Sequence, residues 1–416
     1  RRIEAWRAAQ PAAARVAPEG IRQLVLAADQ FVVGRARRDG TRGVTVVAGY
    51  PWFTDWGRDT MIALPGLALV TGRPDVARQV LETFASYVDR GMLPNVFDEA
   101  GTGPAYDSVD APLWLFQAVR AYAARGDDAL LVRLAPVLEG ILAAYARGTR
   151  HGIGVDPADG LLRQGEAGVA LTWMDARVNG VPVTPRIGKP VEINVLWHAA
   201  LATMASLAPR AKRDAGPYAT GAARVREAFA RFWNPATGHL FDVLDGPDGD
   251  DATLRPNQLF ALSVEDSPLD PAHRAGVLAA CERALATSYG VRTRAPGTAG
   301  YHGRYLGDRD TRDRAYHQGT AWTWLLPQLA LARLAVHGDR ERALAALEPI
   351  ATLVAEYGLG SLPEIVDGDP PHAPRGCFAQ AWSVAETLRA WHAIAAAPAR
   401  RATRAARRRS RARTRA

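Results

Sequence analysis

Apolar residues at helical spacing recur along the chain in pairs of segments punctuated by glycine and proline, and this repetition limits the fold more than any other feature. Residues 58–71 read as a helix closed by Gly72, and Pro74 opens a second helix running to about residue 90. Glycine just past one helix end and proline just inside the next start is the asymmetry that helix termini favour. Further pairs follow at 110–124 and 128–148, with Asp127 of "RGDD" as N-cap, at 190–207 and 215–232, at 256–263 and 270–287, and at 316–335 and 339–357. A helix over 21–34 opens the series and one over 377–396 closes it, making about twelve with little strand signal.

Twelve helices arriving as antiparallel pairs can close into a double ring, inner helices around an axis and outer helices covering them. The expected fold is therefore all-α, an (α/α)6 toroid or six-hairpin barrel, over residues 21–396. A chain of 416 residues, 48% of them hydrophobic, has the material for such a core. The sequence does not begin with Met, so residues 1–20 are expected to be a linker from a further N-terminal domain. Residues 397–416 are expected to be a disordered Arg-rich tail: positions 399–416 carry nine Arg and no acid, which leaves the rest of the chain at −1 out of a total of +8. The positive charge is thus no nucleic-acid footprint on the domain. No run reaches the ~18–20 uncharged apolar residues of a bilayer span, and two cysteines, Cys281 and Cys377, fit a reducing cytoplasm.

In such a ring the segments leading into the inner helices are long: 41–57, 91–109, 149–189, 233–255, 288–315 and 358–376. Loops of that length in a compact domain are usually functional or disordered, and these are rich in aromatics. Seven of the eleven Trp fall in them or at the helix mouths they feed: Trp52, Trp56, Trp114, Trp173, Trp322, Trp324 and Trp382. Carboxylates, amides and Arg accompany them, including Asp55, Arg58 and Asp59, then Asp107 and Asp110, Asp175, Glu192 and Asn194, Arg255, Asn257 and Gln258, His317 and Gln318, and Glu364 with Gln380. Aromatic faces suit the C–H faces of pyranose rings, and planar polar groups suit their hydroxyls.

Other chemistries lack their equipment. The sequence holds no GxxxxGK[ST] loop, no HExxH and no GxSxG elbow, and its nine His are scattered, so neither a metal nor an organic cofactor is expected. An excess of carboxylates remains, the requirement of glycoside hydrolysis. Each feature also has a plainer reading. Asp59 and Asp110 suit first-turn or N-cap positions, Trp114, Trp197 and Trp382 suit a core, His317 suits a structural role, and Glu364 suits a loop ion pair. Recurrence once per helix pair favours a site.

The segments "WFTDWGRDTMIALPGLALVTGR", "YDSVDAPLW", "TWMDARVNGVPVTPRIGKPVEIN", "RPNQLFALS", "YHQGTAWTW" and "GSLPEIVDGDPPHAPRGCFAQAWSVAE" together resemble the C-terminal catalytic domain of glycogen debranching enzymes, the amylo-α-1,6-glucosidase family. The resemblance runs from about residue 20 to 396. It implies an (α/α)6 barrel and hydrolysis of an α-1,6-linked glucose stub on glycogen or a limit dextrin, with inversion. It makes Asp175 the general acid and Glu364 the general base. By likeness to toroidal glucoamylases, Arg58 and Asp59 hold the terminal glucose. Trp56, Asp110, Trp173, Glu192, His317, Trp322, Gln380 and Trp382 are the remaining candidates for sugar contact. An α-glucan is the expected partner, with no nucleic acid or membrane, and the cytoplasm the expected location. Two alternatives stay open: another (α/α)6 enzyme of glucoamylase, trehalase or phosphorylase type, and a non-catalytic glucan-binding relative. The second would be expected to have lost Asp175 or Glu364, and both are present.

Overall fold

The structure, a computed structural model, describes residues 1–11, 14–97, 103–358 and 360–398; of the tail expected at 397–416, residues 399–416 lie outside the described residues. Six helices form an inner set: Gly57–Leu64, Ala111–Ala123, Val191–Leu207, Phe260–Ser263 with its 3-10 lead-in Pro256–Leu259, Leu325–His337 and Ala381–Ala396. Each packs on the next, and the sixth packs back on the first. The inner helices are apolar nearly all round, the pattern of a helix covered on every side: all eight residues of Gly57–Leu64 are buried. Outer helices are amphipathic. Pro74–Ala85 buries Ala77, Val80, Leu81, Thr83 and Phe84 on one face. Asp128–Arg147, Gly216–Ala228 and Arg274–Ala284 cover the next inner pairs in turn, and Arg340–Ala345, Ile350–Glu356 and Glu19–Ala27 complete the layer.

Several helix boundaries differ from expectation because short antiparallel ladders take the lead-ins. The fifth inner helix starts at Leu325 rather than 316, since Ala321–Trp322 pairs with Val291–Arg292 on one side and Ile365–Val366 on the other. The sixth starts at Ala381 because Ala379–Gln380 pairs with Gly49–Tyr50. The opening helix ends at Ala27, and the β-branched Val32 and Val33 begin a strand, Val32–Ala36, paired with Arg42–Val46. Pro349 divides the segment expected at 339–357 into two helices.

Residues 1–20 are more than linker. The helix Arg2–Ala9 docks through buried Trp6 against Trp391 (centroids 6.1 Å apart), and Gln10 Nε2 donates to the Val70 carbonyl at 3.1 Å. Two helices, Asp128–Arg147 and Val191–Ala211, are long and apolar enough to cross a membrane by length and composition, with Arg133 and Glu139 inside the first and Glu192 and Arg210 inside the second. Half of the first helix's apolar stretch and 83% of the second's are buried within the ring, where apolar length serves the core.

The packing of the sixth inner helix on the first depends on one glycine. A Cβ added to Gly66, in the π-helical turn Pro65–Leu69 that continues the first inner helix, would lie 1.9 Å from the Ala385 carbonyl oxygen of the sixth. Backbone cannot yield as a side-chain tip can, so Gly66→Ala is expected to lower unfolding free energy by about 3 kcal/mol. Urea denaturation measures this; an unchanged midpoint would mean that the two helices can part there without cost.

Candidate active site

Residues from the lead-ins and first turns of the inner helices converge on one cleft, lined by Phe53, Trp56, Arg58, Asp59, Trp173, Asp175, Tyr316, Trp322, Glu364, Gln380 and Trp382. Arg58 is its electrostatic centre. The guanidinium donates from Nε to both carboxylate oxygens of Asp110 (2.8 and 2.9 Å), from Nη1 to Asp175 Oδ2 (2.8 Å), and from Nη2 to Ser108 Oγ (3.3 Å) and the Leu171 carbonyl (3.4 Å). Arg58 and Asp110 are fully buried, whereas the Asp175 side chain remains 29% exposed toward the cleft. Burial raises the Asp175 carboxyl above its ordinary pKa, while the Arg58 charge and hydrogen bond oppose the rise without cancelling it.

Glu364 comes from the segment that leads into the sixth inner helix. A four-stranded ladder places it: the strand after it, Ile365–Val366, lies between Ala321–Trp322 and Pro374–Arg375. Tyr316 Oη donates to Glu364 Oε1, and the Cys377 N–H donates to Oε2 at 3.1 Å. Gly376 allows this approach, for a Cβ there would fall 2.3 Å from Oε2 and its φ of +67° is left-handed. Burial pushes the Glu364 carboxyl up to about 7 against those two bonds, with the Asp175 charge adding to the rise.

Aromatic rings wall the space between. Trp324 stacks on Trp382 (4.8 Å), His317 stacks on Trp322 (5.0 Å), and Trp173 meets Trp322, Trp324 and His317 edge-on at 5.3 to 5.5 Å. Trp173 Nε1 donates to Asn257 Oδ1 (2.7 Å), and Asn257 Nδ2 donates to Asp242 Oδ1 (2.8 Å). Asp59 presents its carboxyl to the cleft, and burial pushes it up to about 8, opposed by Arg58 and reinforced by Asp175 and Glu364. Turned to satisfy both of its ends, the Gln380 amide donates to the Ala48 carbonyl and accepts from Trp382 Nε1, both at 3.3 Å, which leaves Asp59 free for a ligand hydroxyl.

Three residues singled out from the sequence stand behind this wall. Asp110 occupies a helix N-cap position without capping; the Ser108 hydroxyl accepts the Ala111 N–H instead, and Asp110 spends its oxygens on Arg58. His317 is fully buried with neither ring nitrogen bonded, and burial with Arg255 and Arg58 nearby keeps it neutral. Glu192 is furthest from the expected role: both its oxygens accept from Arg186, which also grips Asp242. An inward-facing first-turn carboxylate resembles a sugar ligand in sequence, and only the fold reveals its buried cation. Trp52 also misses the cleft and lies exposed beside it. Phe53 and Tyr316, from the same two motifs as Trp56 and His317, also line the cleft.

Among the described residues, Asp156, Asp159 and Asp245 form the one trio spaced to hold a metal. Lys189 Nζ bonds all three at 2.8, 2.8 and 2.6 Å, so an ammonium takes the position a cation would need.

Residues 26–389 match the family model for amylo-alpha-1,6-glucosidase. The chain belongs to the amylo-alpha-1,6-glucosidase family. All the cleft residues, from Phe53 to Trp382, lie within the matched span. Glycogen debranching enzyme of Saccharomyces cerevisiae is 26% identical over 377 residues, a match that covers 68% of this chain and 24% of that protein, so the chain spans about a quarter of its relative. An uncharacterized conserved protein from Thermus thermophilus shares the fold (TM-score 0.66, 16% identity, 88% of this chain and 99% of that one). So does a GH63 mannosylglycerate hydrolase from the same organism in complex with glucose (TM-score 0.65, 16% identity, 88% and 98%). This member of the amylo-alpha-1,6-glucosidase family therefore shares its helical fold with that hydrolase.

Two of the raised carboxyls make a stability prediction for this family member. Asp59 and Glu364, at about 8 and about 7, hold protons in the folded chain that an unfolded chain has already released above pH ~4. Their contribution is fully present below that pH and is lost as pH rises through 7 to 8, on the order of a few kcal/mol. The urea midpoint of the ligand-free protein is expected to fall between pH 5 and 8, and to fall less in the Asp59→Asn, Glu364→Gln double variant. Equal slopes in both proteins would remove these groups from the cause.

Proposed function

We propose that the chain is an inverting glycoside hydrolase, built as an (α/α)6 toroid, that releases glucose from α-1,6 branch stubs of glycogen-type glucans. The observation that carries this reading is the meeting of Asp175 and Glu364 in one aromatic-walled cleft, from segments 189 positions apart in the chain. The cyclic packing order of the six inner helices supports the toroid. In the proposed reaction Asp175 gives its proton to the glycosidic oxygen as the C1–O bond breaks. Glu364, in the ionised form it reaches as pH rises through about 7, takes a proton from water as that water's oxygen bonds C1 from the opposite face. The atoms balance: glucose leaves as the β-anomer, and the shortened glucan regains its hydroxyl.

A second reading follows from the fold shared with the mannosylglycerate hydrolase, whose substrate name denotes a carboxylated aglycone. The cleft disfavours it. Arg58 is the one cation lining the cleft among the described residues, and its donors are already taken by Asp110, Asp175 and Ser108, beside the further carboxyls of Asp59 and Glu364. A carboxylate ligand would find no unengaged cation in the cleft among the described residues. Incubating the protein in parallel with a glucosyl-α-1,6-maltooligosaccharide and with mannosylglycerate tests both. Free glucose from the first alone supports the proposal, and hydrolysis of the second alone overturns it.

A further inference from the structure

Two large aromatic side chains stand in solvent beside the cleft: Trp52, 65% exposed, and Phe378, 44% exposed. They belong to neighbouring segments. Gly49–Tyr50 and Ala379–Gln380 are paired antiparallel, with Tyr50 opposite Ala379, so Phe378 and the turn at Pro51–Trp52 both adjoin the same end of this ladder. The backbone beneath them is fixed. Phe53 N–H donates to the Gly49 carbonyl (2.9 Å), Ala48 N–H to Thr54 (2.8 Å), Ala381 N–H to Ala48 (2.8 Å) and Gln380 N–H to Leu362 (2.8 Å). Both segments then run into the cleft: Phe53 and Trp56 follow Trp52, Gln380 and Trp382 follow Phe378, and Cys377, just before Phe378, holds Glu364.

Exposed aromatics on a hydrogen-bonded backbone lose little freedom when a ligand covers them, and their faces suit pyranose C–H surfaces. We infer that Trp52 and Phe378 form an aromatic rim that holds the linear α-glucan chain bearing the branch stub, outside the cleft that takes the stub itself. Continuity with the cleft selects this occupant. The inference rests on the hydrolase reading and sharpens it: the rim selects a polymeric substrate over a small glucoside.

The test uses the full chain with Trp52→Ala, Phe378→Ala and both together, assayed on a glucosyl-α-1,6-maltooligosaccharide and on isomaltose, which is too short to reach the rim. Each single variant is expected to raise KM for the branched oligosaccharide about three- to tenfold, with kcat/KM for isomaltose within about twofold of the parent. An unchanged KM on the branched substrate overturns the inference and leaves the surface to another protein segment. Parallel losses on both substrates overturn it too, since they mean that the residues shape the cleft. If the parent protein hydrolyses neither substrate, the hydrolase reading fails by itself. Calorimetric titration with maltoheptaose then decides the rim: weaker binding by the double variant sustains it, and equal binding ends it.

Discussion

Asp175→Asn and Glu364→Gln are each expected to cut glucose release from a branched dextrin by a hundredfold or more while leaving affinity for that dextrin within a few-fold. A positioned proton donor or acceptor contributes about 10² to 10⁴ in rate, and each substitution removes one without removing volume. The two residues sit in environments suited to different tasks. Asp175 is part-exposed on an ion pair with Arg58, and Glu364 is fully buried on two donors. For an inverting reaction a water must fit between base and C1, which calls for a carboxyl separation of roughly 6.5 to 9.5 Å. Proton NMR of the first-formed glucose reads the outcome directly. An initial α-anomer, or a fully active Glu364→Gln enzyme, sinks the assignment of the base.

The second large effect separates two neighbours on the first inner helix. Arg58→Met strips the buried Asp110 carboxylate of its cation, leaving Ser108 Oγ at 2.6 Å as its remaining side-chain donor, and unpairs Asp175. Removing one partner of a buried ion pair costs about 3 to 5 kcal/mol, so this variant is expected to unfold several degrees earlier as well as lose activity. Asp59→Asn is expected to do the opposite to stability. It replaces a carboxyl pushed up to about 8 by a neutral amide of the same shape, so at pH 8 the protein becomes as stable as the parent or more so. Its kcat/KM is expected to fall about a hundredfold, since a carboxyl bonded to a sugar hydroxyl acts at the transition state. Melting curves and kinetics in one buffer distinguish them; equal melting losses with unchanged kcat/KM for both would return Arg58 and Asp59 to purely architectural duty.

The inner helices were legible because burial on every side leaves a nearly unbroken apolar run. The residues of "DWGRDT", "TWMDAR" and "LPEIV" were legible because aromatic and charged side chains stand together there against that background. The lead-in strands were not, since two-residue ladders such as Ala379–Gln380 are too short to show an alternating period. Nor was the hub. Arg58 finds Asp110 and Asp175 at separations of 52 and 117 positions, and local sequence carries no sign of such pairing. Glu192 misled for the same reason, because Arg186 reaches it from a left-handed backbone position (φ 47°) in an irregular loop. Gly376 sits in "PRGCF", where its service to Glu364 becomes visible only when the carboxylate is in place.

The sixth inner helix packs on the first, and Gln380 lies opposite Gly49 across a two-residue ladder. A ribosome delivers these partners at opposite ends of its work. While the later pairs are still being made, the first inner helix waits with one apolar flank uncovered, and long-range closure of this kind is slow and prone to aggregation. Translation that stops short of Ala381 therefore leaves no smaller enzyme of reduced activity. It leaves a chain with an open seam, lacking Trp382 as well as the cover for Gly66, and suited to a chaperone or a protease.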